Sequence, residues 1–148
     1  MISVMRKSMS RPKWDEIWIS LALHVSQRSP DTRLKVGCVV VTEDNSSVLS
    51  LGYNGDQHGG THKPDSMEPG KSGFIHAEAN ALIKMNFADH RQKKLYLTHS
   101  PCPVCARMIV NAGIKKVIYC DEYRDTKGID ILKSSGITVE KYEMCMSD

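Results

Sequence analysis

The sequence lacks a long apolar run, and this absence excludes a membrane-spanning helix. No stretch approaches the about 20 consecutive apolar residues that a bilayer requires. The first 11 residues carry three basic side chains but no apolar segment of the kind found in secretory signals. We therefore expect no membrane partner, and we expect residues 1–11 to form a mobile basic leader within a single domain spanning residues 1–148.

The sequence also has only a small excess of positive over negative charge, and it has few aromatic side chains. The 20 Lys and Arg residues are nearly balanced by 17 Asp and Glu, so the net charge is only +3, and aromatic residues make up 6% of the chain. Proteins that coat nucleic acid usually combine a strongly basic surface with aromatic side chains that stack on bases. This composition argues against a nucleic-acid partner but permits an anionic small-molecule substrate.

The five cysteines are too few, and odd in number, for a disulfide framework. Cys38, Cys120 and Cys145 lie in apolar or terminal contexts, where cysteine behaves as a small buried hydrophobic residue. We therefore expect free thiols and a reducing, cytoplasmic compartment.

Two short motifs stand out against this ordinary composition. His76 and Glu78 precede an apolar, helix-favouring run at residues 79–83, and Cys102 and Cys105 precede a second such run at residues 106–110. Together they have the H-x-E…P-C-x-x-C pattern of zinc-dependent nucleobase deaminases.

The donor atoms of these motifs are suited to a catalytic zinc ion. Cys102, Cys105 and His76 supply three ligands, which leaves one coordination position for water, as in catalytic zinc sites. Glu78 is then available to carry a proton rather than to bind the metal. Taken alone, the Cys-x-x-Cys pair is also compatible with a redox pair or half of a structural zinc site. The order of the two motifs, separated by a strand-like run, favours the catalytic interpretation.

The spacing within each motif predicts where the helices begin. Cys102 and Cys105 are three apart and therefore share one helix face, at an N-terminus that favours thiolate. His76 and Glu78 are two apart, about 200° around a regular helix, so they cannot share a face within one. They can converge only if His76 lies at the irregular first turn.

Periodicity predicts strands alternating with helices along the rest of the chain. Tryptophans 14 and 18 belong to an amphipathic pattern and are expected in the core. The first two strands are expected to pair antiparallel, and the alternation after residue 76 indicates parallel strands with helices on both faces. The predicted helices are 14–25, 77–87, 103–112 and 126–135, and the predicted strands are 35–41, 48–53, 94–98, 116–120 and 137–142.

A long loop at residues 55–73 separates the second strand from the first motif. Structureless loops of this length in compact domains are usually functional. His58 and His62 have the i, i+4 spacing of a second metal site, although a solvated loop explains them as well.

With these residues in view, the chain resembles the deoxycytidylate (dCMP) deaminases of the cytidine deaminase-like superfamily, from about residue 13 to residue 140. The phage-encoded members are especially similar over residues 115–139. The resemblance implies a three-layer α/β fold in which a central mixed five-stranded sheet is flanked by helices on both faces. It is carried by residues 36–41 (VGCVVV), 52–55 (GYNG), 76–81 (HAEANA), 100–106 (SPCPVCA) and 113–119 (GIKKVIY).

The resemblance implies a hydrolase that converts dCMP to dUMP and ammonia, supplying dUMP for dTTP synthesis, with Zn²⁺ as cofactor. In this family the carboxylate at the position of Glu78 carries protons to N3 of cytosine and then to the departing ammonia. The same resemblance assigns substrate contacts to several further positions. The pyrimidine would be held by the N–H groups of Ala77 and Cys102 and the carbonyl of Ser100, the sugar by Asn54, and the phosphate by Arg33 and Tyr123.

Family members are often homohexamers regulated by nucleotides, with dCTP and Mg²⁺ activating and dTTP inhibiting. The positions here that match the regulatory site are Gly55, Gly59, Gly60 and Asn80. Glycines let backbone N–H groups approach phosphates closely. The family commonly continues with Ala-Ala-Arg where this chain has residues 84–87 (KMNF), so regulation and subunit contacts are a hypothesis. A phage-encoded member would work in the host cytoplasm.

Three other functions remain open from the sequence. A dCTP deaminase of the same fold would use the same zinc site on a triphosphate. A deaminase of cytosine or adenosine in nucleic acid would need a basic and aromatic groove that the composition does not favour. A non-catalytic zinc-binding interaction module would have no use for Glu78.

Overall fold

The apolar runs of the sequence form the strands of one sheet and the inner faces of four helices. The structure, a computed structural model, describes residues 10–143, so most of the predicted leader and Cys145 lie outside the described residues. Within that range no helix combines the length and apolarity needed to cross a membrane. The helices are α1 (Trp14–Ser26), α2 (Ala77–Lys84), α3 (Pro103–Asn111) and α4 (Lys127–Ser134), and the strands are β1 (Gly37–Thr42), β2 (Val48–Tyr53), β3 (Lys93–His99), β4 (Lys116–Asp121) and β5 (Thr138–Lys141).

The five strands form a mixed sheet in the order β2-β1-β3-β4-β5. A short turn at residues 43–47 joins β1 to β2, which therefore pair antiparallel, and β1 is also antiparallel to β3. The strands β3, β4 and β5 are parallel because α3 and α4 carry the chain back between them. The expectation of a mixed five-stranded sheet is confirmed.

Helices cover both faces of the sheet. On one face α1 packs against alternate strand residues that include Val39, Val41 and Tyr96. On the other face α2, α3 and α4 pack against the intervening residues, including Val40 and Leu97. Every residue of β1 is buried because both of its faces are covered. This arrangement is the three-layer fold that the resemblance implies, and it brings the starts of α2 and α3 together on one face.

Two sequence-based expectations about local structure are wrong. Helix α2 ends at Lys84 rather than near Phe87, because the backbone at Met85 is extended and the Asn86 side chain accepts a turn hydrogen bond from the Ala88 N–H at 3.0 Å. Phe87 is consequently 94% exposed.

The two tryptophans also differ in their surroundings. Trp18 is buried and donates a hydrogen bond from Nε1 to the Asn45 side chain at 3.0 Å. Trp14 is 48% exposed and stacks on Trp18 with 5.3 Å between ring centroids. Only Trp18 is therefore a core residue, and Trp14 covers it from the solvent side.

Candidate active site

Both motifs lie at helix starts, and each begins with an extended residue. His76 immediately precedes α2 with φ −68° and ψ 155°, and Cys102 immediately precedes α3 with φ −70° and ψ 167°. Pro103 occupies the first turn of α3, where its missing N–H has no cost. Because His76 is outside the regular helix, its imidazole can approach the same point as the Glu78 carboxyl. The irregular first turn required by the sequence is present.

The three predicted ligands converge. The Nδ1 atom of His76 lies 3.5 Å from Sγ of Cys102 and 3.4 Å from Sγ of Cys105, and all the ligand atoms are within 4.8 Å of one another. Tetrahedral zinc with ordinary Zn–S and Zn–N bonds places such atoms about 3.6 Å apart. The donor set and its spacing therefore fit a zinc ion.

The cluster contains three potential ligands, which is the number of protein ligands in catalytic zinc sites. Within residues 10–143, the group of three or more possible metal ligands consists of His76, Cys102 and Cys105. Glu78 is not part of this group. His58 and His62 belong to no such group among these residues, so a second metal site in the loop gains no support.

The thiols of the cluster interact with their neighbours. Cys102 accepts a hydrogen bond from the Cys105 N–H at 3.4 Å. Hydrogen bonds from Cys105 and then from His76 lower the pKa of Cys102 to about 4, because they stabilise its thiolate. The bond to Cys102 and then burial raise the pKa of Cys105. A thiolate at the start of α3 is the form that binds metal.

Glu78 is a buried carboxyl group beside the cluster. It is 3% exposed, lies in the first turn of α2 and interacts with the Cys105 thiol. Burial raises its pKa to about 7, because the charged form loses its hydration. A carboxyl group in this environment can both take up and release a proton near neutral pH.

A cavity of about 410 Å³ opens onto this cluster. It is lined by His76, Glu78 and Cys102 on the metal side. Its volume is in the range of small-molecule sites. All six residues predicted to contact the substrate line it, namely Arg33, Asn54, Ala77, Ser100, Cys102 and Tyr123.

Ser100 links the cavity wall to the segment that follows β4. Its N–H donates to the carbonyl of Asp121 at 2.8 Å, and its Oγ accepts the N–H of Tyr123 at the same distance. Ser100 is buried, so these bonds fix the backbone just before Cys102. They also hold Tyr123 at the edge of the cavity.

The residues predicted for regulation do not line this cavity. Gly55 exchanges two backbone hydrogen bonds with Ile75, and the Asn80 side chain donates to the carbonyl of Tyr53 at 2.9 Å. These contacts tie together the two ends of the long loop. Gly59 and Gly60 lie in the loop itself, and Gly59 has a positive φ of 83°.

Sequence reasoning missed several residues of the cavity. Arg124 lies over the Tyr123 ring, 4.8 Å from its centroid, and Asp31, Phe74 and His99 also line the walls. Arg124 directly follows Tyr123 in the sequence, and a basic residue next to a predicted phosphate contact could have indicated a further phosphate ligand. No pattern marks Asp31, because an acidic residue after Pro30 is typical of any turn.

Comparison with known proteins places this geometry in context. The family model for the cytidine and deoxycytidylate deaminase zinc-binding region matches residues 12–121. A deoxycytidylate deaminase from a Mycobacterium phage is 36% identical over 129 residues, covering 77% of this chain and 99% of the relative. The mouse deoxycytidylate deaminase is 32% identical over 146 residues, covering 88% of this chain and 80% of the relative.

A solved structure gives the same result for the fold. The dCMP deaminase of cyanophage S-TIM5, crystallised in complex with dCMP and dUMP, is 41% identical with a TM-score of 0.78. The match covers 90% of this chain and 99% of that chain. The similarity therefore extends over most of the chain and over its fold.

Proposed function

The chain belongs to the cytidine and deoxycytidylate deaminase family, and we propose that it hydrolyses dCMP to dUMP and ammonia. The observation that carries the proposal is the buried Glu78 carboxyl, placed beside the His76, Cys102 and Cys105 cluster inside a cavity of nucleotide size. The substrate is supported by the relative from cyanophage S-TIM5, whose structure contains dCMP and dUMP.

His76, Cys102 and Cys105 would hold the zinc ion. Zinc bound in this way lowers the pKa of a water molecule from 15.7 to about 7 and so makes a nucleophile available at neutral pH. Both His76 and Glu78 line the cavity, so such a water would lie between the metal ligands and the Glu78 carboxyl.

Glu78 moves the protons of the reaction. Its carboxylate takes one proton from the attacking water and delivers it to N3 of cytosine while oxygen bonds to C4. It then transfers the second proton to the 4-amino group, the C4–N bond breaks and ammonia leaves. Both water protons and the leaving group are thereby accounted for.

Backbone groups at the two helix starts hold the pyrimidine. Ala77 is the first residue of α2 and Cys102 immediately precedes α3, where N–H groups have no partner inside the helix. We assign these two N–H groups to the pyrimidine edge, with oxygen O2 as their acceptor, because N3 receives its proton from Glu78. The N–H and Oγ of Ser100 are already bonded within the protein, so its carbonyl is the group that we assign to the substrate. This carbonyl accepts a hydrogen bond from the 4-amino group of cytosine.

The sugar and phosphate extend toward the open end of the cavity. Asn54 contacts the sugar, and Arg33 and Tyr123 contact the phosphate, as the resemblance implies. We add Arg124 to the phosphate site, because it lines the cavity and its guanidinium is exposed above the Tyr123 ring. Guanidinium groups bind phosphate through charge-assisted hydrogen bonds.

We further propose regulation by dCTP with Mg²⁺ and by dTTP at the long loop. Gly59 supports this site, because its positive φ and the open space around it let a phosphate approach the backbone. The loop ends are held by Gly55 and Asn80, so an effector there would act on the start of α2.

We also propose that the chain assembles into a homo-oligomer, namely a hexamer. For a phage-encoded protein it would work in the host cytoplasm, and otherwise in the cytoplasm of its own cell. The support for assembly is the exposure of three apolar side chains on α2, α3 and the segment after α2, namely Ile83, Val104 and Phe87. Light scattering of the wild type, compared with a Phe87→Ser variant, tests the assembly. A monomeric wild type would contradict it.

The decisive experiment measures ammonia release from dCMP, dCTP, deoxycytidine and a cytosine-containing oligonucleotide, with zinc determined on the same sample. We expect turnover of dCMP, slower or no turnover of the others, and about one zinc ion per chain. Release from dCTP alone, or from the oligonucleotide alone, would reject the substrate. Adding dCTP with Mg²⁺ or dTTP to the dCMP assay tests regulation, and an unchanged rate with both would reject it.

A further inference from the structure

Gly70, in the long loop between β2 and α2, lies directly against the guanidinium of Arg124. A Cβ at position 70 would be 2.5 Å from Nη2 of Arg124 and 3.6 Å from its Cζ, and the first of these distances is too short for two atoms that are not bonded. Both residues line the cavity. Any side chain at position 70 would therefore displace the guanidinium, and glycine leaves open the space that Arg124 occupies.

Hydrogen bonds at the base of this part of the loop fix the position of Gly70. The Asp65 N–H donates to the Ser72 carbonyl at 2.7 Å, and the Lys71 N–H donates to the Glu68 carbonyl at 3.0 Å. The first bond closes the base, and the second forms the turn that contains Gly70. Gly70 has a positive φ of 80°, which glycine adopts without strain. The loop therefore holds its tip at the cavity.

Arg124 is held there by packing. Its Cζ lies 4.8 Å from the centroid of the Tyr123 ring, and the N–H of Tyr123 is itself bound by Oγ of Ser100. Among residues 10–143, no hydrogen bond or ion pair uses the guanidinium. A ring and a glycine backbone accept none of its N–H groups in these contacts, so the donors remain available to a ligand.

We propose that Gly70 is a positioning residue of the phosphate site, because its lack of a side chain keeps the Arg124 guanidinium in place for the 5′-phosphate. The inference rests on the proposed function, in which Arg124 binds that phosphate. With Gly70, the guanidinium can lie over the Tyr123 ring beside the cavity before the substrate arrives. A group that is already in place loses less conformational freedom when it binds, and the substrate is bound more tightly.

The Gly70→Ala variant removes the space that Arg124 uses. The new methyl group meets the far end of a flexible side chain, so Arg124 should move away while the fold is kept. We expect KM for dCMP to rise about fivefold with kcat unchanged, because the weakened contact is made equally before and during the reaction. An unchanged KM, or a fall in kcat in its place, would overturn the proposal.

A double-mutant cycle with Arg124→Ala determines whether the effect passes through the guanidinium. In the Arg124→Ala background the methyl group at position 70 has no guanidinium to displace. Gly70→Ala should then change KM by less than about 1.5-fold. The same increase in KM in both backgrounds would show that the loop acts on the substrate without Arg124, which would also overturn the proposal.

The Gly136→Ala variant is the matched control. Gly136 follows α4 with a positive φ of 83°, a Cβ there would have nothing within 4 Å, and the residue does not line the cavity. Alanine at this position brings similar backbone strain but displaces no side chain. It should lower the melting temperature and leave KM unchanged. A rise in KM would show that substrate binding follows stability in general, which contradicts the role of Gly70.

A readout without turnover separates this inference from the proposed function. Because Arg124 lies over the Tyr123 ring, the ring current should shift its side-chain proton resonances upfield in NMR spectra of the wild type. Gly70→Ala should move these resonances toward ordinary arginine values, and Gly136→Ala should not. Unchanged resonances in Gly70→Ala would overturn the positioning role whatever the enzyme catalyses. Failure of the wild type to deaminate dCMP would instead reject the proposed function and the phosphate contact with it.

Discussion

The floor of the cavity is held by helix starts packed into the core, whereas its mouth is built from connecting loops. The floor consists of four residues around the proposed metal, and the mouth of three residues around the proposed phosphate site. Glu78 and Cys105 in the floor are almost fully buried, while the two arginines of the mouth are exposed. The floor residues are His76, Glu78 and Cys102, which line the cavity, together with Cys105, which is buried behind them in the same cluster. The mouth residues are Arg33, Tyr123 and Arg124.

This difference separates the chemistry of the site from its selectivity. Catalytic groups must be held within a fraction of an ångström, which helix ends inside a core can achieve. Loops tolerate substitution, so residues that choose a substrate are often carried there. We therefore expect changes in the floor to abolish activity and changes in the mouth to alter KM, and four variants test this expectation from the largest effect to the smallest.

Replacing Cys102 by alanine should have the largest effect. Only two protein ligands would remain, so zinc should be lost together with all measurable turnover of dCMP. Metal analysis and dUMP formation on the same sample provide the measurement. The matched control is Cys120→Ala, which removes a buried cysteine on the opposite face of the sheet and should keep the metal. A Cys102→Ala protein with its full zinc content would show that the cluster is not the metal site.

Replacing Glu78 by glutamine should leave the metal in place but remove the proton carrier. The amide is nearly the same size and cannot accept the water proton, so kcat should fall about 10³-fold to 10⁴-fold. Zinc content and melting temperature should stay close to the wild-type values. Loss of zinc in this variant would make Glu78 a ligand, and retention of kcat within about tenfold would favour a non-catalytic zinc module.

Replacing Gly128 by alanine should disturb the floor from behind. Gly128 is the second residue of α4, and a Cβ there would lie 2.0 Å from the carbonyl oxygen of Pro101. The backbone before Cys102 must shift to make room, so we expect about 1–3 kcal/mol of lost stability and roughly tenfold lower kcat. Thermal melting and kinetics measure the two effects separately.

Gly113→Ala is the control for that variant. Gly113 follows α3 with a positive φ of 81° and open space around it, so alanine there costs stability through backbone strain alone. Its kcat should match the wild type once the protein is folded. If both variants lost kcat in proportion to stability, the floor would not be rigidly coupled to α4.

The fold and the floor could be predicted because both follow from local rules. Alternating apolar periods predict the strands and helices, and the H-x-E and C-x-x-C spacings force His76 and Cys102 to the helix starts, where the structure has them. The roles assigned to these residues remain predictions. Helix α2 was predicted too long because its apolar pattern continues to Phe87, while the turn at Asn86 depends on one side-chain hydrogen bond.

The rest of the cavity could not be predicted because it depends on contacts between distant segments. Asp31 and Asn54 are 23 positions apart, and neither has a periodic or motif signal that points to the other. Arg124 lines the cavity next to Tyr123, whose N–H is bound by the Ser100 side chain 23 positions earlier. Such pairings arise from the packing of loops, which the sequence pattern does not encode locally.

Replacing Arg124 by alanine should have the smallest effect and the one most specific to the mouth. The guanidinium is exposed, so its attraction for a phosphate is partly screened by water and salt. We expect KM for dCMP to rise about tenfold with kcat unchanged, because the lost contact is made equally before and during the reaction. The rise in KM should diminish as the salt concentration increases.

The Arg91→Ala variant is the control, since Arg91 is paired with Asp89 and lies outside the cavity. Any residual activity on deoxycytidine, which has no phosphate, should be the same with and without Arg124. A fall in kcat instead of a rise in KM would place Arg124 with the floor and remove the distinction between the two regions.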